Sequence, residues 1–172
     1  MAKIFLAETA NLIQDAQDLS KDYIAWVTKA IQEHYPDVDI GAFIGEHDYD
    51  AGGADFPGEC VPPFGRLFVA LHEDQPAGCV ALAKFEDGVC EMRTLFVRPD
   101  FHGLGIGRQL AETVLDAARE IGYETMRLDT LALMHSALNL YHSLGFRDIP
   151  PYRKVSGLVA QYVCFLERDL TN

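Results

Sequence analysis

Basic residues are scarce in this chain. Lys plus Arg number 14 against 26 Asp plus Glu, a formal net charge of −12. A nucleic-acid partner would be repelled by such a field, whereas a cationic amine would be drawn toward it. Plain solubility is an equally simple reading of the same charge. Paired cysteines are also missing. The four present (Cys60, Cys79, Cys90, Cys164) form no C-x-x-C pair, which argues against a disulfide framework or a zinc site. Cys79 and Cys90 stand in apolar runs and read as small buried hydrophobes. No apolar run nears the ~20 residues that span a bilayer, and the first residues lack a basic stretch followed by a long apolar core. These absences predict a cytoplasmic chain with reduced thiols and no membrane partner.

Metal-binding patterns are equally thin. Six scattered histidines give no H-E-x-x-H. Asp48, Asp50, Gly53 and Glu59 fall at calcium-loop positions 1, 3, 6 and 12. Position 5 is Gly52, however, Pro57 interrupts the run, and no helix pair flanks it. No metal is expected.

What the chain does have is one dense constellation. Leu95, Phe96 and Val97 read as the end of a strand, stopped by Pro99. Glycines follow at 103, 105 and 107, and a helical pattern begins at once. Such glycines let the backbone approach a ligand and turn its N–H groups outward. The helix start adds orphan donors and partial positive charge, so the junction reads as a phosphate cradle. It is not a P-loop, since no Gly-x-x-x-x-Gly-Lys-Ser/Thr occurs. It is a poor dinucleotide loop, since Arg108 stands where the third glycine belongs. Asp129 loosely matches the acid such a site needs, which keeps nicotinamide-dinucleotide binding as a minor alternative.

The run His102-Gly103-Leu104-Gly105-Ile106-Gly107, the Val-Arg-Pro lead-in and the Leu-Tyr-x-x-x-Gly-Phe run at 140–146 resemble the GNAT acyl-CoA-dependent N-acetyltransferases. The resemblance covers roughly residues 66–168. It implies acetyl-CoA as co-substrate, gripped by Leu95, Phe96, Val97, His102, Gly103, Leu104, Gly105, Ile106, Gly107, Arg108 and Tyr141. It implies Tyr141 as the acid that protonates the departing thiolate. It also matches Glu91 to a glutamate that takes the proton of the amine. Glu91 reads equally well as a partner for Arg93, and Glu59 and Asp55 are alternative bases. Two positions depart from the family pattern: His102 replaces an Arg or Gln, and Met134 replaces an Asn.

The resemblance further implies a mixed α/β fold. A mostly antiparallel sheet would be flanked by helices and splayed between the strands ending at Val97 and starting at Thr125. Residues 1–172 read as a single domain. A first strand is expected at 3–7. One long helix or two consecutive ones follow, with a capping box at Asn11 and Gln14 and a second cap at Ser20. Segment 36–65 is rich in Gly and Pro and irregular. Strands are expected at 66–71, 77–85, 89–97, 125–131, 146–149 and 160–167. Helices should run from the glycine loop to Gly122 and over 136–144. The acceptor is expected to be a small-molecule or amino-acid-like primary amine. The alternatives are a protein N-terminus or lysine, or a non-catalytic acyl-CoA sensor. Homodimerisation is common in the family.

Overall fold

The computed structural model describes residues 1–39, 41, 56–155 and 157–171. Residues 3 to 34 form a short strand, β1 (Lys3–Leu6), and one 25-residue helix, α1 (Ala10–His34). Thr9 caps α1, not Asn11. Its backbone is extended, as a cap requires, and its Oγ1 accepts from the Leu12 N–H at 3.3 Å. Ser20 lies inside the helix and is buried, so the second cap is not used. The apolar stripe through Ala16, Leu19, Val27 and Ile31 continues past it and holds one helix together.

After the 56–65 segment come β2 (Arg66–His72), β3 (Gln75–Glu86) and β4 (Val89–Val97). The Asp87-Gly88 turn joins the last two, with Gly88 at φ 76°. A single 3-10 turn, Pro99–Phe101, leads to α2 (Ile106–Ile121). Gly122, at φ 99°, ends that helix. Then follow β5 (Thr125–Leu131), α3 (His135–Ser143), β6 (Arg147–Ile149) and β7 (Val163–Asp169). The strand expected from Ala160 begins only at Val163, because Leu158–Tyr162 is a 3-10 turn entered through Gly157.

The strands make one sheet in the order β1-β2-β3-β4-β5-β7-β6. Among the described residues only β4 and β5 pair in parallel, joined by α2. Residues 77–83 of β3 are all buried, as in a strand covered on both faces. On one face, Leu110, Val114 and Leu115 of α2 pack against Val80, Leu82, Met126 and Leu166. On the other, Ala16 and Leu19 of α1 pack against Val69, Cys79, Ala81 and Phe96. Burying each leucine stabilises the fold by roughly 1.5–3 kcal/mol. All four cysteines are free thiols. Burial pushes Cys60 up to about 11 and both Cys79 and Cys90 up to about 12.

Two irregularities in β4 shape everything near the site. Pairing with β3 runs from Cys79↔Phe96 to Ala81↔Arg93, so Thr94 and Leu95 together face Val80. This is a β-bulge, and Thr94 sits at φ 49°, a strained value for a β-branched residue. An extra residue reverses the side-chain alternation. Cys90 and Met92 face the α2 core before the bulge, yet Phe96 faces the α1 core after it. The second irregularity is the parting from β5. The two strands pair only at Val89↔Thr125, Cys90↔Met126 and Glu91↔Arg127, then diverge.

Gly78 keeps the far end of β4 in place. A Cβ there would stand 2.5 Å from the Phe96 carbonyl oxygen, 3.1 Å from Val97 Cγ2 and 3.2 Å from Leu110 Cδ1. Backbone cannot yield as a flexible side chain can. Gly78→Ala is therefore expected to destabilise the protein by about 1–3 kcal/mol. In a thermal melt this reads as a fall of roughly 2–4 °C per kcal/mol. An unchanged melting temperature would contradict the packing described.

Candidate active site

The glycine loop joins the 3-10 turn after β4 to the start of α2. Gly103 and Gly105 adopt φ 79° and 76°, and Gly105 is the N-cap of α2. A side chain at either position would be strained by the backbone alone. A Cβ built at either meets nothing within 4 Å, so open space lies in front of the loop. The first intrahelical bond here runs from the Gln109 N–H to the Gly105 carbonyl, at 3.1 Å. The N–H groups of Ile106, Gly107 and Arg108 thus have no acceptor within the helix. Such a cradle fits a phosphate or pyrophosphate.

His102 turns back onto the strand. Its Nε2 stands 2.8 Å from the Val97 carbonyl oxygen. A carbonyl only accepts, so Nε2 carries the hydrogen. The ring therefore pins the loop to the end of β4 while remaining exposed on the cleft side.

A cleft of about 610 Å³ opens where β4 and β5 part. Leu95, Phe96, Val97, His102, Gly103, Gly105, Ile106, Gly107 and Tyr141 all line it. Leu104, Arg108 and Glu91, also singled out from the sequence, do not, and neither does Glu59, the alternative base. Leu104 points outward and is 49% exposed. Arg108 donates to Ser143 Oγ at 2.7 Å and pairs with Glu112 at 3.5 Å, which ties α2 to the end of α3. Glu91 lies beneath the cleft wall, 2% exposed. Met134, at the position where the family often carries Asn, lines the cleft from the start of α3.

Tyr141 is held rigidly. It is 6% exposed and meets Phe146 edge-on, with centroids 5.8 Å apart. Gly145, at φ 86°, lets the chain reverse so that the Phe146 N–H reaches the Tyr141 carbonyl at 3.0 Å. Burial, then the nearby Tyr23 and Asp129, raise the Tyr141 phenol above its ordinary value. It is a protonated donor at neutral pH.

Glu91 sits at the centre of a buried charge network. One carboxylate oxygen accepts from Arg93 Nε at 2.7 Å and the other from the Tyr152 hydroxyl at 2.8 Å. Arg153 stands 3.9 Å away and also pairs with Asp129. Arg93 reaches Glu59 as well. Burial opposes the Arg93 charge, but Glu91 and Glu59 outweigh it and hold the guanidinium well above its usual value. Burial, then Glu91 and Asp129, push the Tyr152 phenol up, so it stays a donor. Arg127 lies over both the Phe85 and Tyr152 rings, 5.7 and 5.3 Å from their centroids.

Several residues here escaped the sequence reading. Tyr23 looked like part of a core stripe, and Trp26 was not singled out, yet both line the cleft from α1. Their spacing of three along one helix was the one available signal. Tyr152 and Arg153 follow the Pro150-Pro151 pair, a loop whose conformation no periodicity reveals. Asp129, read only as a dinucleotide acid, lines the cleft from β5. Asp48, Asp50, Gly53 and Asp55 lie outside the described residues. Among the described residues no group of three or more His, Cys, Asp or Glu could hold a metal ion. No described helix is long and apolar enough to cross a membrane.

Known proteins resemble the chain at both levels. An uncharacterized N-acetyltransferase of Schizosaccharomyces pombe is 42% identical over 93 residues, which are 53% of this chain and 57% of that protein. An IAA acetyltransferase of Azospirillum brasilense is 35% identical over 51% of this chain and 58% of its own. An N-acetylaspartate synthetase of Danio rerio is 35% identical over 56% of this chain and 35% of its own. The chain thus spans a third to somewhat over half of these relatives' lengths. In fold, a GNAT-family acetyltransferase from Staphylococcus aureus superposes with a TM-score of 0.71 at 16% identity, covering 99% of this chain and 100% of the other. One from Elizabethkingia anophelis, with acetyl-CoA bound, gives 0.52 at 22% identity, over 62% of this chain and 76% of its own. The family model described as Acetyltransferase (GNAT) family matches residues 21–146, and the chain belongs to that family.

Proposed function

We propose that this protein transfers an acetyl group from acetyl-CoA to a primary amine of a small-molecule acceptor. One observation carries the reading: an anion-binding helix start and a buried, protonated tyrosine face the same cleft. The loop 102–107 would grip the pyrophosphate through backbone N–H groups. The pantetheine arm would lie along Leu95–Val97. That stretch lies beyond Glu91↔Arg127, the last register pair with β5, so a main-chain N–H facing the gap would polarise the thioester carbonyl.

The chemistry then needs two proton movements. The neutral amine attacks the thioester carbon, a C–N bond forms, the C–S bond breaks, and the sulfur leaves as thiolate. Tyr141 donates a proton to that sulfur. The amine nitrogen loses a proton to a carboxylate, for which Glu91 is proposed. Glu91 is enclosed, so the proton reaches it through a partner. The Tyr152 hydroxyl can accept on its oxygen while passing its own hydrogen to Glu91, 2.8 Å away. Arg93 and Arg153 cannot release a proton in this range and serve to hold the carboxylates.

Three outcomes test this. Tyr141→Phe should lower kcat for thiol release about 100-fold or more with little change in KM for acetyl-CoA. An unaffected kcat removes Tyr141 from the chemistry. Gly105→Ala places a methyl in the space facing the phosphate and strains a left-handed position. KM for acetyl-CoA should rise about tenfold or more while kcat changes little. Glu91→Gln and Tyr152→Phe should each slow turnover about tenfold, and the double variant should be no slower than the worse single one. Additive losses would mean that the two do not share one proton path.

A further inference from the structure

His102 opens the glycine loop. Its ring is exposed and lines the cleft together with Gly103, Gly105 and Gly107. The Nε2–H is committed to the Val97 carbonyl at 2.8 Å. Among the described residues the ring makes no other hydrogen bond and no ion pair. Nδ1 is therefore the atom that gains or loses a proton. In the neutral ring Nδ1 only accepts, and in the charged ring both nitrogens donate. The change requires no movement, because the bond to Val97 exists in either form and becomes charge-assisted in the second.

An anionic ligand entering this loop finds little free positive charge. Among the described residues, no Lys or Arg lines the cleft, and its titratable members are Tyr23 of α1, His102, Asp129 of β5, and His135 and Tyr141 of α3. The arginines of the surrounding elements are engaged by acids. Arg98 pairs with Asp22 at 2.7 Å, Arg108 with Glu112 at 3.5 Å, and Arg153 with Asp129 and Glu91. Asp100, on the 3-10 turn before the loop, adds negative charge, and the chain as a whole carries −12. Backbone N–H groups would otherwise face a doubly ionised diphosphate alone against that background.

An imidazole ordinarily titrates near pH ~6.5, so around neutrality such a ring has a proton to gain. An anion beside it favours the charged form, and by reciprocity the charged form favours the anion. We propose that His102 binds the cofactor as an imidazolium: the diphosphate entering the loop draws a proton from solvent onto Nδ1, so that binding and proton uptake are one event. The proposal rests on the acetyl-CoA reading above. Its sign is fixed. The added affinity is complete on the acid side, where the ring is charged before the ligand arrives. It is lost as pH rises until the ring stays neutral even in the complex.

The probe is 3′-dephospho-CoA, which keeps the diphosphate but lacks the 3′-phosphate, a phosphomonoester that itself titrates near pH ~6. The full chain is titrated calorimetrically in two buffers of different ionisation enthalpy. Uptake of about half a proton is expected near pH ~7, with affinity falling about fivefold or more between about pH 6 and about pH 8.5. His102→Gln should abolish both the uptake and the pH dependence. His102→Arg should bind on the alkaline side as tightly as the unaltered chain does on the acid side. His135→Gln should leave the uptake in place, which separates the two cleft histidines. Binding without uptake, uptake that survives His102→Gln, or uptake that disappears in His135→Gln overturns the proposal and leaves the acetyl-transfer reading standing. Failure of both acetyl-CoA and the probe to bind at any pH overturns the two together.

Discussion

One extra residue in β4 governs the site. Opposite Val80 the strand carries Thr94 and Leu95 where regular pairing allows one residue. From that point its side chains exchange faces. Before it, Glu91 and Arg93 lie opposite to the α2 core, against the turn that carries Glu59. After it, Phe96 takes the α1 side and meets Tyr23 and Trp26. Without the exchange, Phe96 would enter the core under α2 and the aromatic wall would lose its middle member. The strain at Thr94, of order 1–3 kcal/mol, persists because strongly packed neighbours on both faces fix the strand on either side of it.

The charge network is the second constraint. A carboxylate as enclosed as Glu91 is tolerable only with full hydrogen bonding and an opposite charge. Arg93, Tyr152 and Arg153 supply both. They come from β4 itself and from the 150–155 loop, so satisfying Glu91 also fixes that loop against the sheet. The same loop delivers Arg153 to Asp129, which lines the cleft. Electrostatic satisfaction of a buried group and the shape of the binding end are thus one arrangement.

Much of this was legible in the chain. The glycine loop declared itself because helix start, left-handed backbone and open approach all demand small residues at fixed places. α2 was legible because only one of its faces is apolar, and β3 because both of its faces are. The position of β7 between β5 and β6 was not, since strand order depends on contacts that no local pattern encodes. The cap of α1 moved from Asn11 to Thr9 because both residues can accept from a backbone N–H and only the chain direction leaving β1 distinguishes them. Arg108 belongs to the motif by sequence, yet from the first turn of α2 it reaches Ser143 on α3. Glu91 carried two readings from the start. Its pairing with Arg93 is visible in the geometry, and a proton role is compatible with it.

The short contact between β4 and β5 has a mechanical consequence. Four strands lie on one side of that seam and three on the other, yet only three register pairs stitch them together. The sheet is therefore two stiff leaves with a narrow spine. Spreading them at the open end breaks no ladder bond and bends few backbone angles, whereas twisting either leaf would break many. Compliance is concentrated along the direction in which the cleft opens. The bridge from Glu91 of β4 through Arg153 to Asp129 of β5 crosses the gap just beyond the spine.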